Sequence, residues 1–200
     1  MQMASLDEES PVDIDFLVKA LKQAEKDGTG VAGDVLILNG LAAEYWNKTA
    51  ELDKTFNQGE WRNRPVALVG SDHHTAWVNR AMLDKAGVNA PYVKKLSKLE
   101  RAYITHDKKL QPTGFLLDEG WDVVSKKIPK MSDEMLLKGS KEAIHYYNSL
   151  GLTAWMDIGA NTGPVQGIFN IENTPETLGM IPVYKTLSQQ GALTAHVSGL

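Results

Sequence analysis

The stretch RPVALVGSDHHTAWVNRAMLDKAGV, Arg64 to Val88, decides how the chain is read. Pro65 to Val69 is a short continuous apolar run, the pattern of a strand covered on both faces. Ser71 to Arg80 follows as a polar cluster and runs into a helical stretch through Leu83 to Ala86, which Gly87 stops. Asp72, His73, His74, Trp77 and Asn79 are thereby expected between the C-terminal end of a strand and the start of a helix. Open α/β sheets and barrels place their ligands there.

Outward from this stretch the same two periods alternate. Ile14, Leu17, Val18, Leu21 and Ala24 recur at three- and four-residue steps, which predicts an amphipathic helix over Val12 to Lys26. Val35 to Leu38, bounded by Gly33 and Gly40, predicts a second buried strand, and Asn47 to Phe56 a capped helix with Leu52 and Phe56 turned inward. Arg101 to Asp107 and Thr113 to Leu117, joined by a turn-rich loop, read as a hairpin, with Asp118 and Glu119 closing its second strand. A helix from Trp121 to Lys127 is expected to end at Pro129. Ser132 caps a long helix that Gly151 ends, a strand spans Leu152 to Met156, a helix opens at Thr174-Pro-Glu and runs to Gln190, and a strand covers Leu193 to Val197. Helix, strand, helix, strand is the order of a parallel α/β unit. Parallel strands need cover on both faces, so the final strand gives the expectation that these 200 residues are a segment of a longer chain.

Composition bounds the partners. The net charge of −4 supplies no field to gather a phosphate backbone or anionic lipid, so neither nucleic acid nor membrane is expected as a partner. The absence of cysteine excludes disulfides, thiolate metal sites and a cysteine nucleophile. No apolar run reaches the roughly 20 residues that span a bilayer. Met1 to Pro11 is an acidic, polar tail and not a signal peptide, so the chain reads as cytoplasmic.

Three readings of the Asp72-His73-His74 cluster stay open on the residues alone. As a metal site it lacks any recognised histidine spacing, and adjacent residues of a strand point to opposite faces. As a structural element, Asp72 caps the following helix. As a pocket wall, His74 and Trp77 offer a hydrogen-bonding group and an apolar surface to a substrate. Asp118 and Glu119 suit acid/base work if desolvated, or otherwise a solvated helix N-terminus. Asp157 ends a strand ahead of the glycine-containing loop Ile158 to Gly163, so it belongs either to a barrel's functional face or to an Asx-type turn.

The Arg64 to Val88 stretch closely resembles the signature of the amidohydrolase family 3 group, which includes N-substituted formamide deformylase-like enzymes. Three more segments are similar to that group in the same order: WNKTAELDKTFNQGEWRNRPV (Trp46 to Val66), ITHDKKLQPTGFLLDE (Ile104 to Glu119) and LGLTAWMDIGA (Leu150 to Ala160). The resemblance implies a metal-dependent hydrolase of non-peptide C–N bonds, with a divalent metal, zinc by expectation, that activates a water against a small-molecule amide. It implies an α/β fold in which a mixed-sheet insertion domain is followed by part of a TIM-like (β/α) barrel. The corresponding division is a tail at 1–11, an insertion domain at 12–130 with its hairpin at 101–118, and a partial barrel at 131–200.

Carried over residue by residue, Asp72, His74, Trp77 and Asn79 match the insertion motif and are expected to bind substrate, with His73, Asp118, Glu119 and Asp157 bordering the cleft. His73 stands where relatives often have glycine, Asp118 where they often have glutamate, and Met156 where some have histidine. The family's His-x-His pair has no counterpart among the five histidines here, and its bridging lysine and later ligands are expected beyond Leu200. Neither metal ligand nor catalytic residue is therefore expected in this segment, which alone should be inactive and, with barrel strands unpaired, prone to self-association. The rival readings are a complete small α/β binding or interaction module and, more remotely, an autonomous metal enzyme built on Asp72, His73 and His74.

Overall fold

The computed structural model describes residues 4–129, 132–157 and 180–199. The chain divides into two compact units, Gln2–Pro129 and Lys130–Leu200.

In the first unit, Asp13 caps helix α1 (Ile14–Lys26) by accepting the Phe16 N–H at 2.8 Å, and the apolar stripe buries Leu17, Leu21 and Ala24. Strands β1 (Val31–Ala32) and β2 (Val35–Leu41) follow, then a 3-10 turn (Ala43–Lys48) leading into α2 (Thr49–Phe56). The helix expected over Asn47 to Phe56 is thus two pieces, although Leu52 and Phe56 do face inward. Next come β3 (Val66–Gly70), β4 (Thr75–Val78) and helices α3 (Arg80–Ala86), α4 (Ala90–Lys95) and α5 (Lys98–Arg101). The hairpin β5 (Ile104–His106) and β6 (Pro112–Leu117) leads into α6 (Asp118–Ser125).

The six strands form one mixed sheet in the order β1-β2-β3-β4-β6-β5. Only β2 and β3 pair in parallel, joined through α2, and every other neighbour is antiparallel. Side chains alternate across the sheet. Leu36, Leu38, Val66, Leu68, Trp77 and Phe115 pack on one face with Leu17, Leu21, Leu52 and Phe56 of α1 and α2. Val35, Ile37, Ala67, Val69, Val78 and Leu116 pack on the other with Met82, Val93 and Val124 of α3, α4 and α6. Helices on both faces explain why β2 and β3 read as unbroken apolar runs.

Two local expectations are corrected here. Thr75 to Val78 is a strand, so the polar cluster lies in a tight turn between antiparallel neighbours and the helix starts only at Arg80. Asp118 and Glu119 do not close a strand but open α6, two turns long and starting earlier than the Trp121 to Lys127 reading.

In the second unit Ser132 caps α7 (Asp133–Ser149) through the Met135 N–H, and β7 (Ala154–Asp157) pairs in parallel with β8 (His196–Gly199), with α8 (Ile181–Gln189) between them in sequence. Ile144, Val183 and Leu187 form its buried cluster. The expected helix opening at Thr174 and the Ile158 to Gly163 loop lie outside the described residues. Among the described residues no helix is long and apolar enough to cross a membrane.

Candidate functional site

The β3–β4 turn closes by the His73 N–H donating to the Gly70 carbonyl at 3.0 Å, with His73 at a φ of 59°. Asp72 organises the turn. Its Oδ1 accepts from the His74 N–H at 3.0 Å, the Thr75 N–H at 2.9 Å and the Thr75 hydroxyl at 3.0 Å. This Asx-type arrangement replaces the helix cap considered above. Gly70 is required beside it, since a Cβ there would collide with the Thr75 hydroxyl and lie 2.6 Å from Asp72 Oδ1.

Strand register then brings a distant residue in. Thr75 pairs with Leu117, so the next residue, Asp118, meets His74 across the sheet end. The Asp118 N–H donates to the His74 carbonyl at 2.7 Å, and His74 Nδ1 lies 3.1 Å from Asp118 Oδ1. Asp118 holds a φ of 35°, a sparsely populated conformation for a residue other than glycine. The His74 side chain nevertheless stays 65% exposed and that of Asp118 51%. Asp72, His73, His74, Asp118 and Glu119 all open to solvent at this end of the sheet.

Trp77 and Asn79 do not join them. Both are 0% exposed, and Asn79 spends its amide on the protein interior. Its Oδ1 accepts from the Val66 and Met82 N–H groups, and its Nδ2 donates to the carbonyls of Phe56, Trp61 and Arg64. Trp77 packs against Phe56 with ring centroids 5.7 Å apart, and its Nε1 is buried without a hydrogen-bond partner among the described residues. In this structure these two positions of the motif are buried in the scaffold and not at the solvent-facing turn. An amide and an indole in a polar stretch look alike in sequence whether they face a ligand or a core.

In the second unit Asp157, at the C-terminal end of β7, accepts a 2.6 Å hydrogen bond from the Tyr184 hydroxyl. Burial first and this bond second push that hydroxyl up to about 12. Sequence reasoning missed both Tyr184 and the His74–Asp118 pairing. The hairpin register carried a signal for the second, whereas helix periodicity alone gave none for Tyr184.

Two carboxyls of the sheet end are perturbed. Partial burial acts to raise Asp72, but the Thr75 and His74 N–H groups and the Thr75 hydroxyl outweigh it and hold the carboxyl below its usual 3.8. Burial raises Asp122 on α6, with Lys126 opposing and Glu119 and Asp118 adding to it. Because the folded pKa of Asp72 is depressed, its contribution to stability is present above the unfolded value of 3.8 and lost as pH falls through the folded one. Urea titrations should accordingly show wild type losing stability relative to Asp72→Asn between pH 5 and 3; parallel pH profiles for the two proteins would refute this.

The cluster does not fit a metal ion. Asp72 Oδ1 is saturated by three donors and His74 Nδ1 is engaged by Asp118. No group of three or more His, Cys, Asp or Glu is placed to hold a metal among the described residues.

Comparison with solved structures finds an uncharacterized metal-dependent hydrolase from Pyrococcus horikoshii, 17% identical with a TM-score of 0.54, covering 99% of this chain and 32% of that one. A second, from Pyrococcus furiosus, is 18% identical with a TM-score of 0.51, covering 99% and 33%. At such identities the likeness speaks to fold, and the chain spans about a third of the length of the solved structures it matches. No curated protein matches. The sequence profile described as "Amidohydrolase family" matches residues 1–178, the β3–β4 turn and the β5–β6 hairpin included, and on that match the chain belongs to the amidohydrolase family.

Proposed function

We propose that this chain is the substrate-facing α/β portion, with part of the (β/α) barrel, of a metal-dependent hydrolase. The whole enzyme opens non-peptide C–N bonds of small amides through a metal-activated water, in the manner of N-substituted formamide deformylase-like enzymes. The family match over residues 1–178 carries this reading. The divalent metal, zinc by proposal, is held by residues outside this chain; in the turn cluster Asp72 Oδ1 and His74 Nδ1 are already engaged by internal hydrogen bonds.

Within that enzyme His74 borders the substrate. Its backbone is fixed at both its N–H and its carbonyl while its ring stays open to solvent, which is how a recognition group is held on a rigid element. Asp72 acts behind it by fixing the turn.

The experiment uses the full-length enzyme, loaded with zinc and assayed on a panel of N-substituted amides. His74→Ala should lower kcat/KM by about tenfold or more with metal stoichiometry unchanged. The 200-residue chain alone should turn over none of the panel. Loss of bound metal in His74→Ala, or turnover by the isolated chain, would overturn the assignment.

A further inference from the structure

We infer that Asp118 is the positioning residue of His74, and that the pair selects substrates that offer an N–H to the imidazole. The inference rests on the proposed function for its substrate and on the geometry for the rest. An ionised carboxylate only accepts hydrogen bonds. The 3.1 Å contact between His74 Nδ1 and Asp118 Oδ1 therefore requires the proton on Nδ1. In the neutral ring this leaves Nε2 as the acceptor, and no described residue hydrogen-bonds it. The ring nitrogen open to a ligand is then a base-like acceptor, and its complement is a donor.

Two further contacts and one backbone constraint make this more than a surface ion pair. The Asp118 N–H holds the His74 carbonyl at 2.7 Å, so the same residue grips both backbone and ring of the histidine. Asp72 takes the His74 N–H from the other side at 3.0 Å. Asp118 itself sits at a φ of 35°, locked between β6 and α6 by the Thr75 to Leu117 register. A solvated histidine requires none of these constraints. Here they fix which nitrogen faces outward.

A secondary amide, with one hydrogen on nitrogen, fits this acceptor, whereas a fully substituted amide presents only a carbonyl and alkyl groups. The wild-type enzyme should prefer a secondary amide over its N-methylated counterpart by about tenfold in kcat/KM through this contact. His74→Ala and Asp118→Ala should each erase that preference, and the double variant should lose no more than either alone.

Nitrogen-15 NMR of the ring, recorded on the wild-type 200-residue chain with the imidazole neutral, decides the positioning claim without any activity. A proton on Nδ1 supports it; a proton on Nε2 overturns it. In Asp118→Ala the proton should move to Nε2, and persistence on Nδ1 would show that Asp118 is not the cause. In the full-length enzyme, equal losses from Asp118→Ala in the presence and absence of His74 would also overturn it. If instead the NMR result holds while His74→Ala leaves every amide unaffected, the pair stands as geometry and it is the hydrolase site that fails.

Discussion

Asn79→Asp is expected to move the urea unfolding midpoint of the first unit far below that of wild type at room temperature. The wild-type amide accepts from Val66 at 2.9 Å and Met82 at 3.1 Å, and donates to Phe56 at 2.9 Å, Trp61 at 3.1 Å and Arg64 at 2.8 Å. A carboxylate of the same shape keeps the first two bonds and turns the other three into contacts between an anion and carbonyl oxygens. All five partners are backbone groups and none of them can supply a proton or a cation in exchange, and an uncompensated buried charge costs about 3–5 kcal/mol. Set against a total of roughly 5–15 kcal/mol for a domain, that is anywhere from about a fifth of the margin to all of it. Only the protonated acid can donate, so the deficit should shrink as pH falls. Asn79→Ala removes the charge problem but orphans the same backbone groups and the α3 cap, and should be severely destabilised at every pH. Circular dichroism during urea titration at pH 7 and pH 4 reads both variants; a wild-type midpoint for Asn79→Asp at pH 7 would show that the network is dispensable.

Gly114→Ala is the second large effect. Gly114 lies inside β6, between β4 and β5, at a φ of 102° that L side chains rarely adopt. A Cβ there would lie 2.6 Å from Trp77 Nε1 and 2.7 Å from the Val78 carbonyl. The carbonyl belongs to the backbone of β4, which is paired on both sides, so it cannot retreat without breaking the ladder. Strain and overpacking together should cost on the order of 3–5 kcal/mol. Gly139→Ala serves as the control. That glycine is in α7 with open space around its would-be Cβ, so the change should stabilise by up to about 1 kcal/mol through helix propensity. Equal stability of the two variants would refute the steric reading.

These two residues mark where sequence reading stops. Continuous apolar runs reveal β2 and β3 because burial on both faces leaves no polar position to interrupt them. The three- and four-residue stripe reveals α1, and Ser132 announces α7, because helix periodicity and capping are local. The parallel partnership of β7 and β8 is also legible from the order of elements. Thr75 to Val78 is not, because four residues carry too little periodicity to separate a strand from a helix entry. What makes them a strand is pairing with Phe115 to Leu117, far along the chain. The site divides in the same way. The turn cluster is legible as polar chemistry next to a strand, whereas the assignment of Asn79 and Trp77 to the interior and of Asp118 to His74 follows from contacts that no local pattern encodes.

The pairing of His74 with Asp118 spans 44 residues, and β6 reaches β4 only after α3, α4, α5 and β5 have been threaded around it. Closing so long a loop is an entropic toll met before any of its contacts form, which places the sheet end among the last features to assemble during folding. Partly folded chains therefore lack the His74–Asp118 pair. A small molecule that engages His74 binds only the finished sheet, and by mass action stabilises the whole first unit, so that occupancy becomes a gauge of how completely the chain has folded.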